Sequence, residues 1–213
     1  MINTILIKLL PFSHFKIIFL RLLGAKIGKG VKIGYLSTIH TKNYSKIEIG
    51  NYVQIGRNVE LKVSRLKIDN LSIIGNNVLI EGNGRIDIGK ACYIPTIYID
   101  GSGTIEVGDY SALPPHGLIY SHNYSNTWFN QGSKYQLNDI KIGNRVWMGA
   151  GSSILNANIG DESLIAGGSI VLQDIPNNSF AIGNPARVLK ENKFNKVKEE
   201  LFIDKIFSKR YTK

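Results

Sequence analysis

One cysteine, Cys92, stands among 213 residues, so no intramolecular disulfide can brace the fold. It lies in the run ACYIP, where a small core residue is the expected reading and a nucleophile the alternative. No cluster of His, Cys, Asp and Glu has the spacing of a metal site, and no metal is expected. No apolar run reaches the roughly 18 residues of a membrane-crossing helix. The opening MINTILIKLLPFSHFKIIFLRLLGAKIGKG is apolar, but Pro11, Ser13, His14, Lys16 and Arg21 interrupt it and no small-residue cleavage site follows, so the expectation is a cytoplasmic protein. Acidic residues are missing from the first 46 positions, which hold eight Lys and Arg and carry a net charge of +8. Residues 47–186 carry −3 and residues 187–213 carry +5, giving basic ends on a mildly acidic body. Basic residues interleaved with aromatics along a continuous face are absent, which excludes nucleic acid as a partner.

What is present is a repeat. In KIGNRVWMGAGSSI (141–154), Ile142, Met148 and Ile154 stand six apart, a period that fits neither a helix nor a simple strand. The segments IEIGNYVQIG (47–56), IDIGKACYIP (86–95), IEVGDYSALP (105–114), IKIGNRVWMG (140–149) and NIGDESLIAG (158–167) share the pattern, and IIGNNVLIEG (73–82) is a shifted copy. Ile49, Ile68, Ile88 and Val107 follow one another at 19, 20 and 19 residues, close to three hexapeptides per turn of a solenoid. Each repeating aliphatic residue is expected to stack on its equivalent one coil away. Gly and Asn beside it are expected at corners where φ turns positive or a Cβ does not fit, which accounts for 22 glycines.

The rhythm fails between Pro114 and Gly143. Residues 123–139 form a polar excursion of 17 residues bearing Trp128, Phe129 and Tyr135, directly after His122. Long loops in compact domains are usually functional or disordered, and aromatic rings beside Asn and Ser suit the stacking and hydrogen bonding of a sugar.

The repeats, the run NRVWMGAGSSIL and the ending LIAGGSIVLQDIPNNSFAIGNPARVLK closely resemble the hexapeptide-repeat acyltransferases, in particular sugar and polysaccharide O-acetyltransferases of the maltose and galactoside type. The resemblance covers residues 24–190. It implies a left-handed parallel β-helix of triangular section, an all-β solenoid, assembled as a homotrimer. That handedness comes from the resemblance alone, since the general crossover rule favours right-handed connections. Residues 1–23 are expected to form an amphipathic helical cap, able also to rest on an anionic membrane surface, and residues 191–213 a terminal helix.

The resemblance further implies acetyl-CoA as donor and His122, in IYSHNYS, as the catalytic base. Acyl transfer to a hydroxyl needs such a base together with donors for the oxyanion. His116, in PPHG, is the competing base or an acceptor-pocket residue; Tyr124 and Trp128 are acceptor candidates. Asp100, in IYIDGSG, is either the group that orients the histidine and contacts acceptor hydroxyls or a turn residue before Gly101. For CoA, the resemblance implies Trp147, a strip of small residues through Gly149, Ala150, Ala166 and Gly167 on successive coils 18 residues apart, and the basic Arg187 and Lys190. Two departures stand out: Leu172-Gln173-Asp174 replaces the usual Thr-Lys-Asp, and ILNANIG (154–160) is one residue short, so its coil must tighten. The implied activity is O-acetylation of a sugar in a surface polysaccharide or its precursor. The alternatives are N-acetylation of a nucleotide-linked amino sugar, or a silent scaffold.

Overall fold

The computed structural model describes Ile7, residues 10–124 and residues 135–191. Six-residue spacing becomes a strand of two to four residues followed by a corner, and three such units close one coil. The first face stacks Lys26–Ile27, Ile47–Ile49, Arg65–Ile68, Arg85–Ile88, Ile105–Val107 and Ile140–Ile142. The second stacks Lys32–Ile33, Gln54–Ile55, Ile73–Ile74 and Tyr93–Ile94, passes through Ala112, and continues with Trp147–Met148, Leu164–Ile165 and Ser179–Gly183. The third holds Thr38–His40, Glu60–Lys62, Leu79–Glu81, Tyr98–Asp100, Leu118–Tyr120, Ser153–Leu155 and Ile170–Val171. Pairing within each face is parallel, and the core is a stack of in-register aliphatic columns. Ile27, Ile49, Ile68, Ile88, Val107 and Ile142 form one column, as the 19–20-residue spacing predicts. Each buried member is worth about 1.5–3 kcal/mol of apolar burial.

The corners divide their labour in a way the sequence pattern did not separate. Positive φ falls mostly on residues that carry side chains, among them Tyr52, Asn58, Asn77, Arg145 and Glu162, two positions after the repeat glycine. The repeat glycine answers a different constraint, close approach. A Cβ on Gly108 would stand 2.6 Å from the Gly143 carbonyl carbon on the next coil, and one on Gly50 2.7 Å from the Asn70 nitrogen. Asn and Asp residues at these corners form ladders: Asn51 Oδ1 accepts from Lys29 N, Asn70 Oδ1 from Asn51 N, Asp109 Oδ1 from Lys90 N and Asn144 Oδ1 from Asp109 N, at 2.6–2.9 Å. Cys92 occupies a rung shared with Ser72 and Ser111, its Sγ 3.0 Å from the Gly108 carbonyl, and burial pushes its thiol up to about 12. It is a core residue.

Helix α1 (Ser13–Leu22) closes the open end of the first coil. Ser13 Oγ accepts from Ile33 N at 2.8 Å, and the fully buried Lys16 donates from Nζ to the Gly34 and Ser37 carbonyls, both at 2.9 Å. Those are backbone groups that a further coil would otherwise satisfy. At the other end Ala186–Glu191 folds back antiparallel on Ser179–Gly183. Glu191, the first residue of the expected terminal helix, is thus in a strand, and the rest of that segment lies outside the described residues.

Gly108→Ala is expected to destabilise the solenoid by about 1–3 kcal/mol through the clash with Gly143, measured by urea unfolding. Lys16 gives a pH signature. Burial lowers its pKa from 10.5 to about 8, so between those values the unfolded chain binds more protons and stability rises with pH. The stability of the parent relative to Lys16→Met should therefore increase from about pH 7.5 to about pH 10; a flat difference would show that the ammonium is not desolvated.

Candidate active site

The excursion leaves the solenoid where the strand Leu118–Tyr120 ends, at the edge between the third and first faces. The chain returns at Ile140, which pairs with Ile105 as though nothing intervened. At the root of the excursion His122–Tyr124 and Tyr135–Leu137 form an antiparallel pair, with His122 opposite Leu137. His122 is therefore held by a ladder on one side and by the solenoid edge on the other.

Asp100 ends the strand directly beneath Tyr120, one coil down. Its Oδ1 lies 3.1 Å from His122 Nδ1, and the two side chains retain only 13% and 19% of their exposure. The same oxygen accepts from Ser102 N at 3.1 Å and Ser102 Oγ at 2.7 Å. Asp100 thus makes the turn toward Gly101 and also faces the histidine. A carboxylate at Nδ1 favours the tautomer with its proton on that nitrogen and the acceptor lone pair on Nε2. The Tyr120 ring meets His122 edge-on at 5.7 Å, and Tyr98 packs on Tyr120 at 5.6 Å. Tyr98 donates to Glu81 Oε1 at 2.9 Å, and burial first, then that carboxylate, raise its pKa well above the usual phenol range. Ser102, Tyr120 and Glu81 did not emerge from the sequence; the Asp-x-Ser turn in IDGSG was the available signal for Ser102.

His116 is placed elsewhere. It sits exposed at the corner between the second and third faces, at φ 57°, in the slot that Gly151 and Gly168, both at φ 69°, fill on later coils. It and His122 flank opposite ends of the strand Leu118–Tyr120. Tyr124 lies on the first strand of the excursion's pair, and Trp128 lies outside the described residues.

The residues assigned to CoA gather along the second face and its exit corner. Trp147, Leu164, Phe180 and Lys190 form one column, with Trp147 half exposed and the Lys190 ammonium 5.5 Å from the Phe180 ring centre. Arg187 is exposed opposite Ile182 on the terminal ribbon. The small-residue strip exists with a corrected offset. Met148 pairs with Ile165, and Gly168 N donates to the Ala150 carbonyl, so equivalents lie 17 residues apart rather than 18. The tightened coil through Asn156, itself at φ 57°, removes the missing residue. Nothing lies within 4 Å of a Cβ built on Gly151 or Gly168, leaving the strip open along its outer side. Among the described residues no group of three or more His, Cys, Asp or Glu is placed to hold a metal.

No family model matches the chain. Galactoside O-acetyltransferase from Escherichia coli is 32% identical over 145 residues, 67% of this chain and 55% of that protein. The chain spans about half, or less, of the curated relatives it matches. Among solved structures, a variant of the N-acyltransferase AntD from Bacillus cereus, in complex with dTDP-4-amino-4,6-dideoxyglucose and coenzyme A, superposes with a TM-score of 0.60 at 22% identity, covering 88% of this chain and 95% of that one. A hexapeptide-repeat acetyltransferase from Vibrio cholerae, complexed with acetyl-CoA, gives 0.51 at 20% identity, covering 90% and 84%. The chain carries the hexapeptide-repeat, left-handed β-helix fold of these acetyltransferases.

Asp100→Asn keeps the shape of the pair and removes its charge. If the chain transfers acetyl from acetyl-CoA, as proposed below, that rate is expected to fall about 10²-fold or more with an unchanged circular dichroism spectrum; parent-like turnover would reduce Asp100 to a turn residue.

Proposed function

We propose that the chain is an acetyl-CoA-dependent O-acetyltransferase acting on a hydroxyl of a sugar, within a surface polysaccharide or its lipid-linked precursor, in the cytoplasm at the inner face of the membrane. The observation that carries this reading is the His122–Asp100 pair, anchored where the aromatic-bearing excursion leaves the solenoid. His122 Nε2 takes the proton of the acceptor hydroxyl as that oxygen attacks the thioester carbonyl, and the Asp100 carboxylate stabilises the imidazolium so formed. Backbone NH groups hold the oxyanion, and the proton then passes to the departing thiolate of CoA. Trp147 and the Gly149–Ala150, Ala166–Gly167 strip hold the pantetheine arm, where larger side chains would obstruct it. Arg187 and Lys190 meet the phosphates.

Base and strip occupy different edges of one prism. His122 follows the third face, whereas Gly149–Gly151 precede it, with the third-face strand between them. A working site therefore joins His122 of one copy to the strip of a neighbour, and we infer a homotrimer with three such junctions. One observation favours a second reading, N-acetylation of a nucleotide-linked amino sugar: AntD, an N-acyltransferase of the same fold, is in complex with a sugar of that kind and with CoA.

His122→Ala should lower transfer by about 10²–10⁴-fold and leave acetyl-CoA binding within a few-fold of the parent. Arg187→Ala should weaken CoA binding more than it slows saturated turnover. A panel of glycans and nucleotide amino sugars, followed for the mass of one acetyl group, separates the two acceptor classes. Mixing His122→Ala with an Ala150→Trp variant, which blocks the strip at a position that is exposed and already carries a Cβ, should restore activity that neither shows alone, because hybrid assemblies contain intact junctions. A monomeric mass in light scattering, or no complementation, removes the shared site. If neither His122→Ala nor His116→Ala affects turnover, the acyltransferase reading falls.

A further inference from the structure

Helix α1 is apolar on two sides. Lys16 and Leu20 face the end of the solenoid and are fully buried, while Ile17, Phe19 and Leu23 pack against the core more loosely. On the side away from Lys16, Phe15, Ile18 and Leu22 keep 47%, 52% and 79% of their exposure, and Phe12, in extended backbone just before the helix, keeps 59%. The spacing of three and four residues keeps the three helical side chains within one stripe of the helix surface. A solvated end cap would present polar residues there. This one turns its single lysine inward, onto the Gly34 and Ser37 carbonyls, and Phe15, Ile18 and Leu22 outward.

The surroundings of the stripe carry one sign of charge. Arg21, Lys29, Lys32, Lys42 and Lys46 are exposed on the helix and first coil, and no acid occurs before Glu48. Like-charged ends repel, which argues against a second copy of the chain as the occupant. Apolar side chains projecting from a cationic rim match the acyl boundary and anionic headgroups of a bilayer. We propose that α1 seats this end of the protein on an anionic lipid surface, with Phe15, Ile18 and Leu22 in the interface and the basic first coil against the headgroups. In this pose the solenoid axis rises away from the membrane. His122 follows the fifth strand of the third face, four coil steps from the seated end, which at about 4.8 Å per step places it about 19 Å above the first coil. The site is then set to meet a glycan projecting from a lipid carrier, a consequence that rests on the acetyltransferase reading, whereas the lipid contact itself does not.

Flotation with phosphatidylcholine vesicles, with and without about one third phosphatidylglycerol, tests the contact without any assay of transfer. The intact chain should float at least about tenfold more with the anionic vesicles, and about 0.5 M salt should release most of it. Phe15→Gln combined with Leu22→Gln alters only exposed positions of the helix and should abolish flotation while the melting curve is retained. Lys29→Glu with Lys42→Glu, away from the helix, should weaken flotation and keep the fold. Equal retention by both vesicle types, retention by the double glutamine variant, or no flotation of the intact chain overturns the proposal. So does a drop in oligomeric mass of the double glutamine variant in lipid-free buffer, which would make the stripe a contact between copies.

Discussion

Successive coils touch backbone to backbone at the corners. Between Gly108 and Gly143 there is no room for a methyl group, and between Asp109 and Asn144 the gap is spanned by one side-chain hydrogen bond of 2.9 Å. Everything else in the molecule is subordinate to that spacing. It fixes the vertical register, so that an inward isoleucine lands on another isoleucine and each peptide group finds its partner one coil away. It also leaves the outward positions free of folding demands, which is where polar and aromatic residues collect on the third face.

A solenoid of this kind tolerates insertions at its corners, because the coils above and below need only meet each other. Ile105 pairs with Ile140 across 35 positions of sequence as faithfully as Ile86 pairs with Ile105 across 19. The excursion between them can therefore carry chemistry without disturbing the core. At its root two independent supports converge on a titratable side chain: the paired strands above His122 and the Asp100 carboxylate below it. Ser102 completes that support by fixing the oxygen that faces the ring.

Much of this was legible in the residues. The spacing of Ile49, Ile68, Ile88 and Val107 reports the column because burial imposes a strict period. The break after His122 reports the excursion because nothing in the core explains it. Less legible were the separate tasks of the corner residues, since close approach and positive φ both favour glycine and only coordinates show that Gly108 serves the first while Arg145 tolerates the second. The 17-residue offset of the small strip was blurred for a similar reason: a shortened coil such as ILNANIG can absorb its missing residue at any corner. The contact between Asp100 and His122 lies 22 positions apart in sequence and depends on side-chain direction, which a six-residue rhythm does not encode.

A β-solenoid has two raw ends, and each is a row of unpaired amides and carbonyls of the kind that recruits further strands. At the first coil Ser13 occupies the Ile33 amide while Lys16 occupies the Gly34 and Ser37 carbonyls, so the template is chemically spent before another chain can reach it. Seen in this way, the buried ammonium is a chain terminator. It keeps a structure built on endless repetition finite, and a variant that lost it would face the hazard of end-to-end fibres.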